Sequence, residues 1–436
     1  MQTSLLGIAK KAAEQRKYRF RNLYGMLNEN FLLACWRDIR KNAAYGVDRV
    51  SARDYEKNLR ENIRLLVQKL KDKRYRAQLI RRHYIPKGEG KFRPLGIPVV
   101  EDKLVQIAVK RLLEAIYEQD FLRWSHGYRP NTGAHNAIEQ LSVKLQFGKY
   151  EYVVEADIKG FFDNMDHDWL IRMLEERIDD KAMLRLIKKW LKAGVLDTDG
   201  KVNHPVTGSP QGGIISPVLS NIYLHYVLDL WFHKGLKKRC KGEALMVRYA
   251  DDFVAAFQYE AEAKEFYSML SERLKKFGLE LSAEKTRILP FSRIRPFAKD
   301  YFEFLGFEFR WGLDQGRKPK LLRRTSRPNL RRSLARLREW LRGRSRHYSR
   351  RRLFAELSVK FRGYYNYYGL IGNSVSLRQF HYRALRLVKC YLNRGSDSRH
   401  LNWQGFVDAV KAYNVPKPRI ISNKRLTGYV PYAAHA

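Results

Sequence analysis

Residues Leu245–Phe257 read LMVRYADDFVAAF. Apolar residues run on both sides of Asp251-Asp252, so the stretch predicts two strands meeting at a two-residue acidic turn. A short Asp side chain bonds the local backbone, and acidic turns are common for that reason alone. The alternative is a pair of carboxylates held rigidly at a hairpin tip to bind a divalent metal. A third carboxylate, a nucleotide pocket and a nucleic-acid surface elsewhere in the chain would decide for the metal.

A third carboxylate is at hand. Tyr152–Ile158 (YVVEADI) is an apolar strand that places Asp157 at its end, facing a cleft, and runs into Lys159-Gly160-Phe161-Phe162-Asp163. Asp163, Asp166 and Asp168 read as turn and cap residues, with Asp168 the expected N-cap of WLIRMLEERI. Carboxylates from separate strands repel one another unless cations lie between them. Oxygen-only ligands suit Mg²⁺, and a pair of such ions can activate a 3′-hydroxyl and neutralise a leaving pyrophosphate.

The pocket has candidates too. In LIRRHYIPKGEGKFRPLGIP two β-like runs flank a glycine-bearing loop, Lys87–Lys91, and Pro86, Pro94 and Pro98 exclude a continuous helix. Lys87, Lys91 and Arg93 would supply charge to a triphosphate, although such a loop standing alone would be a solvated basic turn. Phe162 would put a ring beneath the sugar, where a 2′-hydroxyl would clash, selecting deoxynucleotides. In GSPQGGIISPVLSNIYL two glycines follow Gln211 and allow close approach of a ligand or another backbone, and a helix starts near Ser216 or Pro217.

Composition points to a polyanion. The 436 residues carry 85 basic against 45 acidic side chains, a net charge of +40, with 26 Tyr and 22 Phe available for stacking. A membrane partner is disfavoured: no run approaches ~20 consecutive apolar residues, and the N-terminus lacks a signal-peptide core. The expected location is the bacterial cytoplasm, with nucleoid association an open option. Cys35, Cys240 and Cys390 form no CxxC pair and read as structural thiols.

The opening through about Lys41 reads as helical and basic, and a helix from Ala52 is capped by Ser51. Glu101–Gln119, His135–Leu145, residues 169–192 and Glu262–Phe277 read as helices. LELSAEKTRIL around Lys285 and FEFLGFEF (302–309) each read as a strand. From Arg317 to Arg352 the only acid is Glu339, and Leu330, Leu334, Leu337 and Leu341 mark one helix face with arginines over the rest. A second helix carries Phe354, Leu357 and Phe361. A third is announced by Ser376 with Gln379, a capping-box pattern. Arg323, Arg324, Arg331, Arg332, Arg338 and Arg342 are the candidate RNA contacts of this helical unit. The tail NVPKPRIISNKRLTGYVPY is expected to be extended.

In order, these motifs resemble the reverse transcriptase–maturases encoded by bacterial group II introns. NAAYGVD looks like the N-terminal extension motif, IPK, KFRPLGIP and EDKLVQ the fingers motifs. ADIKGFFD, GSPQGGIISPVLSNIYL and YADD look like the catalytic series, LSAEKTR and FEFLGFEF the motifs closing the palm, and FRGYYNYYG the thumb, or maturase X, domain. The resemblance implies an α+β right-hand polymerase with an antiparallel palm sheet and a helical thumb. Expected units are 1–100 (N-terminal extension and fingers), 101–310 (fingers and palm), 311–395 (thumb) and 396–436 (basic tail). It implies Asp157, Asp251 and Asp252 as the catalytic and metal residues, with two Mg²⁺ ions and Mn²⁺ as a substitute. Lys87 and Arg93 would contact the triphosphate, Phe162 would be the sugar gate, Ile158, Gln211 and Gly212 would line the nucleotide pocket, Lys285 would donate a proton to pyrophosphate, and Asn42–Asp48 would lid the template. Implied partners are an RNA template with a DNA primer, dNTPs, the group II intron RNA and, for a mobile member, a DNA target. No endonuclease is expected, since the chain ends soon after its thumb without a CxxC pair. Two rivals remain open: a domesticated or CRISPR/defence-associated relative, and a non-catalytic RNA-binding splicing chaperone.

Overall fold

A computed structural model describes residues 4–88, 91–209, 212–295, 300–344, 348–394 and 400–421, without the side chains of Lys87 and Lys91. Its strands, in chain order, are β1 (Ile80–Gly88), β2 (Lys91–Ile97), β3 (Ser125–His126), β4 (Tyr152–Asp157), β5 (Val195–Leu196), β6 (Val202–Asn203), β7 (Ala244–Tyr249), β8 (Asp252–Phe257), β9 (Arg287–Pro290), β10 (Phe302–Phe304), β11 (Phe307–Leu313) and β12 (Pro319–Thr325).

The central sheet has the order β3-β7-β8-β4-β9. Its pairs are antiparallel except β3 with β7. Strands β4, β7 and β8 are buried on both faces. Val154, Ala156, Ala244, Met246, Phe253, Ala255 and Phe257 belong to one core; Val153, Leu245, Val247, Val254 and Ala256 belong to the other. Double burial explains why LMVRYADDFVAAF is apolar without alternation. Helices Val100–Tyr117 and Ser216–Leu224 cover the first face, most of their side chains buried. Helix Ala134–Phe147 and a three-stranded sheet, β10-β11-β12, cover the second.

A separate sheet, β2-β1-β5-β6, forms the fingers. It draws on both sides of residue 100, because β5 lies parallel to β1. The thumb packs helices Arg327–Arg344, Arg350–Tyr368, Ser374–Leu392 and Trp403–Ala412 around a third core. Phe354, Leu357 and Phe361 are fully shielded there, each contributing about 1.5–3 kcal/mol of apolar burial. No helix among the described residues is long and apolar enough to cross a membrane.

Several sequence expectations are corrected in detail. The N-terminal segment is two helices, Leu5–Glu14 and Glu29–Trp36, with an irregular stretch between them in which Phe20 bridges to Ile178. FEFLGFEF is a hairpin, not one strand: Leu305 and Gly306, at φ 50 and 80°, turn β10 back onto β11. LELSAEKTRIL extends only from Arg287, and Lys285 lies in the preceding turn. Asp166, not Asp168, caps helix His167–Glu175, its carboxylate accepting from Trp169 N at 2.8 Å. The cap of helix Ser374–Leu392 is at Asn373 rather than Ser376. The buried Asn373 amide instead ties the thumb to β12, accepting from Thr325 N and donating to Thr325 Oγ1, both at 2.8 Å. The unit expected as a basic tail, 396–436, carries a further helix, Trp403–Ala412, begun by Asn402 accepting from Gly405 N and anchored by Phe406 in the thumb core; the stretch expected to be extended starts after it, at Asn414. Residues 422–436 of that tail lie outside the described residues.

Candidate active site

Strands β7 and β8 are closed by Ala250 and Asp251, since Tyr249 pairs with Asp252. The turn therefore sits one residue earlier than Asp251-Asp252. Ala250 adopts φ 55°, and its N–H donates to His126 O at 2.9 Å, so the end of β3 fixes the tip. Gly127, at φ 81°, allows this approach; a Cβ there would lie 2.7 Å from Ala250 N.

Asp252 thus opens β8 and pairs with Asp157 at the end of β4. The three carboxylates do not share one opening equally. Asp157 and Asp251 line a cleft of about 600 Å³ between palm and fingers. Asp252 lies with Asp157 along a neighbouring groove beside Glu155 and Glu303. Their electrostatics are coupled. Burial raises the Asp251 carboxyl above its usual range, and the Asp157 charge adds to this. Asp252 is exposed at its outer side, yet desolvation of its carboxyl and the charges of Asp251 and Asp157 push it up to about 6. Lys285 Nζ lies 2.6 Å from Asp157 Oδ2, and that bond raises the lysine above its ordinary value. Its ammonium supplies positive charge where three carboxylates converge.

Among the described residues no group of three or more His, Cys, Asp or Glu closes into a metal-holding cluster. The donor set nevertheless fits a hard divalent ion. It offers oxygen only, from Asp157 and Asp251 on one cleft wall, and Asp157 already draws a cation to itself.

The same cleft is lined by Phe92, Arg93, Tyr128, Ile158, Phe162 and Gly212. Arg93 is exposed on β2. Phe162 is half-buried, its ring edge-on to Tyr128 with centroids 6.4 Å apart. It is held from below, where Ser209 N donates to Phe162 O at 2.8 Å. Gly212, at φ 105°, abuts β2 so closely that a Cβ would meet Gly96 O at 2.7 Å. Lys87 lies on β1, but its side chain is outside the described residues, and so is the whole of Gln211. Within Asn42–Asp48, Ala44 O accepts from Lys103 Nζ at 2.6 Å, fastening this loop to the palm.

The thumb arginines divide. Arg324, Arg331, Arg332, Arg338 and Arg342 are exposed. Arg323 is half-buried on β12, donating to Ile371 O at 2.9 Å and to Ser142 Oγ at 3.4 Å, and burial lowers its pKa. It is an internal tie between palm and thumb.

Two residues of the site were missed from sequence. Tyr128 carried no signal beyond a loop position. Arg248 did: an arginine inside an apolar run demands buried partners.

A family model described as reverse transcriptase (RNA-dependent DNA polymerase) matches residues 85–309. Group II intron-encoded protein LtrA of Lactococcus lactis subsp. cremoris is 36% identical over 311 residues, 57% of this chain and 50% of that protein. Protein YkfC of Escherichia coli (strain K12) is 35% identical over 296 residues, 60% of this chain and 74% of YkfC. A telomerase from Candida albicans, solved with a fragment of telomeric RNA, superposes with a TM-score of 0.45 at 14% identity, over 79% of this chain and 64% of that one. The chain spans about half the length of LtrA.

Proposed function

The chain belongs to the reverse transcriptase (RNA-dependent DNA polymerase) family, and from that premise we propose that it copies an RNA template into DNA by extending a primer with deoxynucleotides. The observation that carries this reading is that Asp157 and Asp251 line one cleft together with Arg93 and Phe162. Asp157 and Asp251 would hold divalent ions, taken as Mg²⁺ with Mn²⁺ as a substitute, and Asp252 would shape the field beside them. Such ions, when bound, lower the cost of deprotonating a 3′-hydroxyl and of releasing pyrophosphate. Arg93 binds the triphosphate by charge. Phe162 stacks beneath the sugar and excludes a 2′-hydroxyl. Lys285 exchanges Asp157 for the phosphates when nucleotide enters, and there it is placed to protonate the leaving group.

Primer extension on an RNA template with a DNA primer, dNTPs and Mg²⁺ tests this. Product is expected from the wild-type chain, and its absence overturns the enzymatic reading.

A second activity rests on the thumb and on a relative's name. LtrA is described as group II intron-encoded, and the exposed thumb arginines form a basic face. We infer that this face binds a group II intron RNA and assists its splicing. Splicing of a group II intron RNA, with and without protein, measures it. Unassisted splicing at the same rate removes the maturase role while leaving the polymerase intact.

A further inference from the structure

Arg248 and Asp229 are both fully shielded from solvent. Every N–H of the Arg248 guanidinium is used. Nε donates to Asp229 Oδ1 at 2.8 Å, and Nη2 to Asp229 Oδ2 at 2.6 Å and Ser125 Oγ at 2.5 Å. Nη1 donates to Asn221 Oδ1 at 3.0 Å and Ala250 O at 2.8 Å. Stability is a weak reason for such a pair, because replacing a buried ion pair by apolar side chains of similar volume is often neutral or stabilising.

The informative bond is the one to Ala250 O. That carbonyl belongs to the peptide leading into Asp251. Ala250 N is fixed as well, by His126 O at 2.9 Å. Both peptide planes around Ala250 are therefore held, one by β3 and the other by the buried Arg248 side chain of β7, where a two-residue turn ordinarily presents them to water. Asn221 reinforces the arrangement: its Oδ1 takes Arg248, and its Nδ2 donates to Gly127 O at 2.9 Å on the loop beneath the turn. Asp229 comes from a π-helical stretch, His225–Asp229, a distortion that recurs at functional sites.

We propose that Arg248, neutralised by Asp229 and oriented by Asn221, is a positioning residue that fixes the Ala250–Asp251 peptide and so sets the Asp251 carboxylate for cation binding. This rests on the polymerase reading of the cleft.

The test compares Arg248→Met, Asp229→Leu and the double variant. Each single variant leaves one charge buried and unpaired, so both should unfold at lower temperature. The double variant removes both charges and should recover a near-wild-type melting temperature. Its single-turnover nucleotide addition at saturating dNTP should remain ~10–100-fold slow. Half-saturation by dNTP and primer–template affinity should not change. Mn²⁺ binding to the protein–primer–template complex without nucleotide, read by EPR, should weaken by about tenfold. Asn221→Ala, which leaves both charges paired, should move rate and Mn²⁺ affinity the same way by less, and it carries the test should the double variant not fold. No extension by wild type overturns the polymerase reading. Wild-type extension, together with a stable variant that adds nucleotide and binds Mn²⁺ like wild type, overturns the positioning role alone.

Discussion

Arg248 in the palm and Arg331, Arg338 and Arg342 in the thumb are one residue type in opposite settings. Arg248 is fully buried, spends every donor on named partners and is neutralised by Asp229. The thumb arginines stand in solvent on helix Arg327–Arg344, where Glu339 is the only acid. A buried guanidinium fixes geometry and is little affected by salt; an exposed row raises affinity for a polyanion without specifying where it sits, and salt screens it. Under the proposed function, the palm is the part that sets chemistry and the thumb the part that sets residence on nucleic acid.

The largest expected effect separates the two outright. Asp251→Asn should cut primer extension by on the order of a thousandfold or more, since it removes an anionic oxygen from the proposed cation site. RNA affinity, measured by filter binding, should stay within about twofold, because no thumb arginine is touched. An equal fall in both would erase the division.

Phe162→Val should next relax the preference for deoxynucleotides over ribonucleotides, by about tenfold or more in the ratio of their kcat/KM values. The ring's half-buried setting against Tyr128 makes this a change of shape rather than charge. Unchanged selectivity would remove Phe162 as the gate. A smaller effect belongs to the thumb. Replacing Arg331, Arg338 and Arg342 together by Gln should lower RNA affinity and reduce the salt slope by roughly 0.7–0.9 for each lost phosphate contact, with the extension rate at saturating primer–template unaltered. Arg323→Gln, by contrast, should lower the melting temperature, because its guanidinium bonds Ile371 O and Ser142 within the fold.

What the sequence made legible follows from how local each signal was. Asp157 stood out because an acid ends an apolar strand, and Asp251 because two acids interrupt another. Both line the cleft. The register was not legible. Whether the turn falls at Ala250-Asp251 or Asp251-Asp252 depends on a carbonyl at His126, more than a hundred residues away. The Asn373 cap was hidden for the same kind of reason, since its amide bonds β12 across the palm–thumb junction. Charge alone likewise could not separate Arg323 from its exposed neighbour Arg324, because burial on β12 is decided by helix Ala134–Phe147 and the Ile371 loop packing over it.

The palm's dependence on buried groups implies a pH sensitivity centred on the hairpin. His126 is neutral between Thr132 Oγ1 at 2.6 Å and Gln140 Oε1 at 2.8 Å, and His225 is buried nearby. Desolvation by burial is the main cause that lowers each imidazole to about 4. Between pH 6.5 and 4 both are uncharged in the fold and protonated in the unfolded chain, so the unfolded state binds more protons and stability falls as the solution is acidified. From pH 7 to 5 each site should cost about 2 kcal/mol. His381 in the thumb is lowered in the same direction by burial, so a global melting curve alone would not tell the lobes apart. Hydrogen exchange does: at pH 5, protection should fall first in peptides covering β3, β7 and His225–Asp229, the elements that hold the Asp251 turn. Earlier loss in helices Arg350–Tyr368 and Ser374–Leu392 would mean that the thumb, not the palm, is the lobe whose fold depends on buried neutral groups.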